Sequence, residues 1–397
     1  MSPRVHAVLN IFALLVLAIA FTVLMRTAAR PLLPRPAALT NIATTTQLAG
    51  AAAPNATSSP TTAAPSKASS ARPKVAPVAS AQKPSKNLAK SSAETASTST
   101  NVATRIENPY PSPPESSDAV NAAARAALVN ILCLSRGSIR PISGSGVVID
   151  PRGIIITNAH VAQYVLLSEN PAIDLSCVVR TGSPARIAWM ASVLYIPPVW
   201  ISAHAGELNA GQATGTGEHD YALLAITAPA GSDALPAGGF PALPFDTRDR
   251  IGFVGDQVLA ASYPAEFLGG IAAENSLYAV SSVGTIGKLL TFDTGTVDVV
   301  SLGGLIEAQS GSSGGAVVNP WGYLIGLITT TSEGASTAER DLHALTLSYI
   351  NRDLTTQTGT DLSAYLHGDI ATEQNNFNQN LLPGLMDQYM AHIKPAQ

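Results

Sequence analysis

Three residues of this sequence have types and neighbours suited to acyl transfer. Ser313 lies in SGSSGGAVV, Ser310 to Val318, with Gly two places before it and Gly-Gly directly after. A serine hydroxyl is a weak nucleophile near neutral pH, so it needs a general base, most often His, held in orientation by a third group, usually a buried carboxylate. Among the seven histidines, His160 closes SGSGVVIDPRGIIITNAHV, and Asp220 in GTGEHDYALLAIT directly precedes the apolar run Ala222 to Ile226. Each has a plain structural explanation when read alone: a Ser/Gly surface turn, a histidine at a strand end, an acid beside a strand. Together they supply a base, an orienting acid and a nucleophile.

The elements that must position them are strands. In Ser145 to His160 a Gly/Ser-spaced segment, the turn Asp150-Pro151-Arg152-Gly153 and a β-branched run predict a β-hairpin, because Pro presets φ and Gly accepts positive φ. That hairpin delivers His160 at a strand end. Short apolar runs recur between turn signals in VSSVGTIGKLLTF, VDVVSLGGLI and GAVVNPWGYLIGLIT. The spacing predicts an all-β protein of packed antiparallel sheets, with the reactive groups on loops between them. NPWG closes a hairpin immediately after Ser313, where Trp321 and Tyr323 are expected to serve hairpin packing rather than ligand binding.

TNAH with His160, Asp-x-Ala-Leu-Leu with Asp220 and Gly-x-Ser-Gly-Gly with Ser313, in the order His, Asp, Ser, resemble the trypsin-like (chymotrypsin-fold) serine peptidases, nearest to the bacterial HtrA/DegP branch. The resemblance spans about Ala119 to Thr355. It implies two antiparallel six-stranded β-barrels with the triad His160, Asp220 and Ser313. The N–H groups of Gly311 and Ser313 would form the oxyanion hole, and Thr329, Thr330 and Thr331 would pair edge-on with an extended polypeptide substrate. Glu307, six before Ser313, stands where relatives carry the floor of the primary specificity pocket, and Thr331 at a wall position. A carboxylate buried without a cation is costly, so Glu307 is expected at the surface or ordering its loop, and cleavage after small or medium aliphatic residues is expected. Ser312 stands where zymogen-type relatives carry an acid, and no IVGG-like activation start is seen, so the site is expected to fold without proteolytic activation. About sixty residues follow Thr337, fewer than the PDZ domain of many HtrA-like chains needs. No cofactor is implied.

Cys133 in VNILCLS and Cys177 in LSCVVRT both fall in strands assigned to the first barrel. They form either one disulfide in an exported chain or two buried thiols; no metal-ligand spacing involves them.

Length and charge divide the 397 residues unevenly. Ala7 to Met25 is a 19-residue apolar run followed by Arg26, Arg30 and Arg35. It reads as an uncleaved membrane anchor within residues 1–30, with a cleaved signal as the alternative. Residues 31–117 are rich in Ala, Ser, Thr, Pro and Lys and predict a disordered linker. Residues 1–93 hold ten Lys and Arg and no acid, whereas residues 94–397 hold thirteen against twenty-seven acids, 13 − 27 = −14. The basic stretch reads as a solvated spacer, and no nucleic-acid partner is expected. The positive charges behind the apolar run argue for a cytoplasmic C-terminal side, while the resemblance and the stalk argue for an extracytoplasmic one, which is the expectation adopted.

Ser116 or Ser117 is placed to cap a helix over Asp118 to Leu128. The peptidase domain is expected over 118–355, with a helical or flexible tail over 356–397 and helical text beginning near ERDLHALTLSYINRDL. Two other function classes fit parts of the sequence: a peptidase-fold binding module with a vestigial triad, and an α/β-hydrolase esterase, which lacks the strand–turn–helix context around its serine. Substrate identity and oligomeric state are not encoded in these motifs.

Overall fold

The computed structural model describes residues 105–393, apart from 107, 138, 209–215, 232–233, 250, 269, 293–294 and 333. The anchor expected at Ala7 to Met25 and most of the expected linker lie outside the described residues. Among the described residues no helix is long and apolar enough to cross a membrane.

The apolar and β-branched runs form strands, marked off by the turn signals between them. β1 (Leu128–Ser135), β2 (Ile142–Asp150), β3 (Ile154–Thr157), β4 (Leu175–Thr181), β5 (Arg186–Tyr195) and β6 (Ala222–Pro229) close into a barrel in the order β1-β2-β3-β6-β5-β4. The β2–β3 connection is the expected turn, with Gly153 at φ 90° and its N–H donating to Asp150 O at 2.9 Å. Ile131 and Ile155 lie on one face of the barrel wall and Val147 and Ile156 on the other, all fully buried, each contributing on the order of 2 kcal/mol of apolar burial. Cys133 and Cys177 face each other across the β1–β4 ladder and are joined by a disulfide.

The second half comprises β7 (Gln257–Ser262), β8 (Val280–Thr285), β9 (Lys288–Leu290), β10 (Val299–Ser301), β11 (Ala316–Val318), β12 (Leu324–Thr331) and β13 (Leu342–Thr346). They form one antiparallel sheet in the order β8-β7-β11-β12-β13-β10-β9. Only Ile286 and Gly287 separate β8 from β9, so the two ends of the sheet are halves of one bent strand. The sheet therefore curls into a second, six-sided barrel-like layer around Val258, Val317, Ile328 and Ala344.

Helices fill the outside. α1 (Ser117–Ala127) is capped by Ser116, one of the two serines the sequence offers, whose Oγ accepts from Ala119 N. α2 (Ala159–Ser168) follows β3, and α3 (Pro198–His204) and α4 (Gly270–Asn275) lie in connections. After β13 come α5 (Leu347–Thr358), α6 (Leu362–His367), α7 (Ile370–Asn376), a π-helical turn over Phe377–Leu381 and α8 (Leu382–Met390).

Three expectations are corrected. The segment 108–116, read as the end of a disordered linker, is docked: Tyr110 stacks on Tyr323 with centroids 4.5 Å apart, and its hydroxyl donates to Asp246 Oδ2 at 2.6 Å. Trp321 Nε1 donates to Ser112 O and Glu115 N to Pro320 O, each at 2.9 Å. One aromatic residue in the right register outweighs the polar composition around it. The text from Leu342 to Thr346, read as helical, is strand, because pairing with β12 and β10 overrides local propensity. Finally, α5 runs across the expected boundary at 355/356. Leu362, Leu366, Phe377, Leu385 and Tyr389 beyond it are buried in the same core as the first barrel, so the tail packs as part of the domain.

Candidate active site

His160 is the second residue of α2, held where β3 ends. Its Nδ1 lies 2.8 Å from Asp220 Oδ2, and its backbone N–H donates to Asp220 Oδ1 at 2.9 Å. Both carboxylate oxygens therefore engage one residue, fixing ring position and tautomer together. Asp220 is buried. Asn158 Nδ2 donates to Asp220 O at 2.8 Å, and Thr329 Oγ1 donates to Asp220 Oδ2 at 2.9 Å. Burial opposes the charge on both partners. The attraction of His160 and the hydrogen bonds from His160 and Thr329 outweigh it, leaving the Asp220 carboxyl below the ordinary carboxylate range. Burial likewise lowers the affinity of His160 for a proton, and the charge and hydrogen bond of Asp220 more than restore it, so its pKa lies above the usual imidazole value.

Ser313 comes from the other half of the molecule, in the turn before β11. Its Oγ lies 3.3 Å from Thr329 O, to which it donates, while its carbonyl accepts from Ser145 N at 2.7 Å. Thr329 thus contacts the nucleophile candidate through its carbonyl and the acid candidate through its hydroxyl. Among the described residues the Ser313 hydroxyl is directed at Thr329 O, and no hydrogen bond joins it to the His160 ring, whose Nδ1 faces Asp220.

The loop around Ser313 is shaped by contacts a side chain would destroy. Gly311 has φ 94°, and a Cβ there would sit 2.7 Å from Tyr263 O. At Gly314, φ 84°, a Cβ would sit 2.0 Å from Ser145 O and 2.4 Å from Thr157 Oγ1. Ser310 O accepts from Ala265 N at 2.8 Å and Ser312 O from Gly315 N at 2.9 Å. In a trans peptide the carbonyl and the following N–H point opposite ways, so these bonds turn the Gly311 and Ser313 N–H groups away from those partners. Ser145 Oγ donates to Gly311 O at 2.8 Å and accepts from Tyr263 N at 2.9 Å. Ser312 donates no charge here; its hydroxyl pairs with Ser262 Oγ at 2.9 Å. Arg340 bridges Glu266 by two bonds, at 2.7 and 2.8 Å, and reaches Ala308 O at 2.9 Å.

The structure corrects the reading of Glu307. Its neighbour Ile306 is 49% exposed whereas Glu307 is 0% exposed, and both carboxylate oxygens are buried without a hydrogen-bond partner. Two tight-turn bonds flank it, Ala308 N donating to Leu305 O at 3.0 Å and Gln309 N to Glu307 O at 2.7 Å. Burial pushes the carboxyl above its ordinary range. It is neither at the surface nor open to a substrate atom in this conformation. Thr331 is exposed, and its Oγ1 donates to Ser332 O at 2.8 Å. Thr330 follows Thr329 in β12. Among the described residues no cluster of His, Cys, Asp or Glu is arranged to hold a metal ion.

Two supports escaped the sequence reading. Gln163 Nε2 donates to His160 O at 2.9 Å, and its Oε1 accepts from the buried Tyr389 hydroxyl at 3.0 Å. The Thr329 hydroxyl bond to Asp220 is the other; a β-strand threonine gives no local signal that it will meet a residue 109 positions away.

Residues 144–327 match the family model of the trypsin-like peptidase domain. Among solved structures, the crystal structure of the serine endoprotease from Yersinia pestis is similar to this chain at 23% identity, covering 62% of this chain and 69% of that one with a TM-score of 0.39. No curated protein matches the chain.

Proposed function

We propose, from the premise that this chain carries a trypsin-like peptidase domain, that it is a serine endopeptidase using His160, Asp220 and Ser313. In this reading His160 takes the Ser313 hydroxyl proton as Oγ attacks the scissile carbonyl. The proton passes to the leaving amine, and water then hydrolyses the acyl-enzyme by the reverse sequence of transfers. Asp220 orients the imidazole and stabilises its charged form, and the Gly311 and Ser313 N–H groups receive the developing oxyanion. The observation that carries the reading is the double engagement of His160 by Asp220, with Thr329 linking that pair to Ser313.

The Thr329–Thr331 backbone is proposed as the edge along which an extended polypeptide pairs. With Glu307 buried, its carboxylate is not offered to Lys or Arg, which supports cleavage after small or medium aliphatic residues. A peptide library varied at that position checks this, and a dominant Lys/Arg preference abolished by Glu307→Gln would overturn it. Tethering through Ala7 to Met25, with the peptidase domain extracytoplasmic, is proposed on the apolar run alone; release by carbonate extraction would count against it.

Labelling of the full-length protein with a fluorophosphonate tests the central assignment. The adduct is expected on Ser313 and absent in Ser313→Ala. Absence of label in folded wild-type protein, or label on Ser310, would replace the peptidase reading with a peptidase-fold binding module or another nucleophile.

A further inference from the structure

Directly before Asp220 stands a second histidine–carboxylate pair. His219 has φ 59°, in the left-handed region that non-glycine residues visit sparsely and that persists where neighbours over-determine it. The neighbours are on α5. His219 Nδ1 lies 2.9 Å from Asp353 Oδ1, and the His219 N–H donates to the Tyr349 hydroxyl at 2.9 Å. Asp353 is itself fixed, its Oδ2 accepting from Gln357 Nε2 at 2.6 Å. The helix carrying both is anchored at its start, where Thr346 Oγ1 accepts from Tyr349 N at 3.1 Å. On the other flank the turn is tight: Asp220 N donates to Gly217 O at 3.1 Å and Tyr221 N to His219 O at 2.9 Å. The chain therefore enters Asp220 in a direction set by α5, an element 134 residues away in sequence that continues from the second sheet.

Resting on the peptidase reading above, we propose that Asp353 is a positioning residue for the Asp220–His160 pair, acting through His219. The carboxylate of Asp220 makes both its bonds to His160 only if its backbone is rotated as it is here, and nothing in the local sequence GEHDY demands that rotation. The clamp supplies it from outside. The groups facing His219 are Asp353 and Tyr349 from α5, Glu218 with Oε1 3.7 Å from His219 Nε2, and the adjoining Asp220; those facing His160 are Asp220 and, through the backbone, Gln163.

The test uses full-length protein carrying Ser313→Ala, so that no turnover is needed, and follows the His160 imidazole by NMR titration, assigned with a His160→Gln variant. Asp353→Ala is expected to lower the His160 midpoint, because a displaced Asp220 stabilises the imidazolium less. Asp353→Asn, which keeps an acceptor for His219 Nδ1–H without the charge, is expected to stay close to the parent. An unchanged midpoint in folded Asp353→Ala overturns the proposal. So do equal shifts in the Asn and Ala variants, which would assign the effect to charge acting through space. If Asp353→Ala does not fold, Tyr349→Phe removes only the acceptor for His219 N–H and is expected to shift the midpoint the same way, an unshifted value overturning the clamp. With Ser313 restored, fluorophosphonate labelling of Asp353→Ala is expected to slow by roughly 10- to 100-fold. A wild-type protein that takes no label, together with a shifted His160 midpoint, would defeat the peptidase reading and leave the positioning role standing; normal labelling with no shift would do the reverse.

Discussion

The two sides of the candidate site are built by different means. On the first-barrel side, His160 and Asp220 are held by side chains: the paired carboxylate, the Thr329 hydroxyl, the Asn158 amide and the Gln163–Tyr389 brace. On the second-barrel side, Ser313 sits in a loop held by backbone hydrogen bonds and by glycines with no room for a Cβ. The difference teaches where each half is vulnerable. A side-chain scaffold fails when a functional group is exchanged, and fails locally, because strands around it keep their ladders. The backbone part of the second scaffold is most sensitive to added volume, because its contacts are made by atoms every residue shares; Ser145 Oγ on Gly311 O and Arg340 on Ala308 O are its side-chain supports.

Asp220→Asn should break the first side most sharply. Removing the charge while keeping shape leaves His160 without a reliable tautomer, so labelling at Ser313 should fall about 10⁴-fold with the fold intact. A loss under tenfold would show that the side-chain scaffold is not what orients the base. Gly314→Ala should break the second side through volume. Its Cβ would overlap Ser145 O at 2.0 Å at a positive φ, so a loss of about 3 kcal/mol or more is expected in urea unfolding. Near-wild-type stability would mean that the loop can move, and the contrast between the halves would not hold.

Ser145→Ala probes the seam, since this first-barrel serine serves Gly311 O and Tyr263 N across it. Losing two buried bonds should cost roughly 1–3 kcal/mol and slow labelling without abolishing it. An effect on stability with none on labelling would separate the seam from the site. The smallest effect expected is a pH dependence. The hydrogen bond from Asp353 raises the His219 pKa. Stability from that pair is therefore fully present below the unfolded imidazole value, about 6.5, and lost as pH rises through the higher folded value. Melting curves of wild type and Asp353→Asn should converge on the alkaline side; a difference that grows with pH would contradict the sign.

The local parts of the site were legible because their physics is local. The Asp150–Gly153 turn needs only its own residues, and the Gly-Gly after Ser313 announces a backbone with no space beside it. The α1 cap at Ser116 likewise follows from four consecutive positions. Misreadings came where contacts overrode composition: Tyr110 docks a segment whose polarity suggests disorder, and pairing makes Leu342–Thr346 a strand.

The sequence by itself determined the residue types and their order, the hairpins that bear them, and the all-β class, since these depend on φ preferences and on apolar runs between turn residues within a dozen positions. Only the tertiary structure decided that Thr329 would give its hydroxyl to Asp220, that Cys133 and Cys177 would lie opposite in one ladder, and that Glu307 would turn inward while Ile306 turned out. It also decided that α5 would clamp the residue before Asp220. Each of these joins chemistry on elements far apart in the chain or reverses a neighbour's preference. Hydrogen bonds and burial depend on distance in space, which the spacing of residues along a strand does not specify.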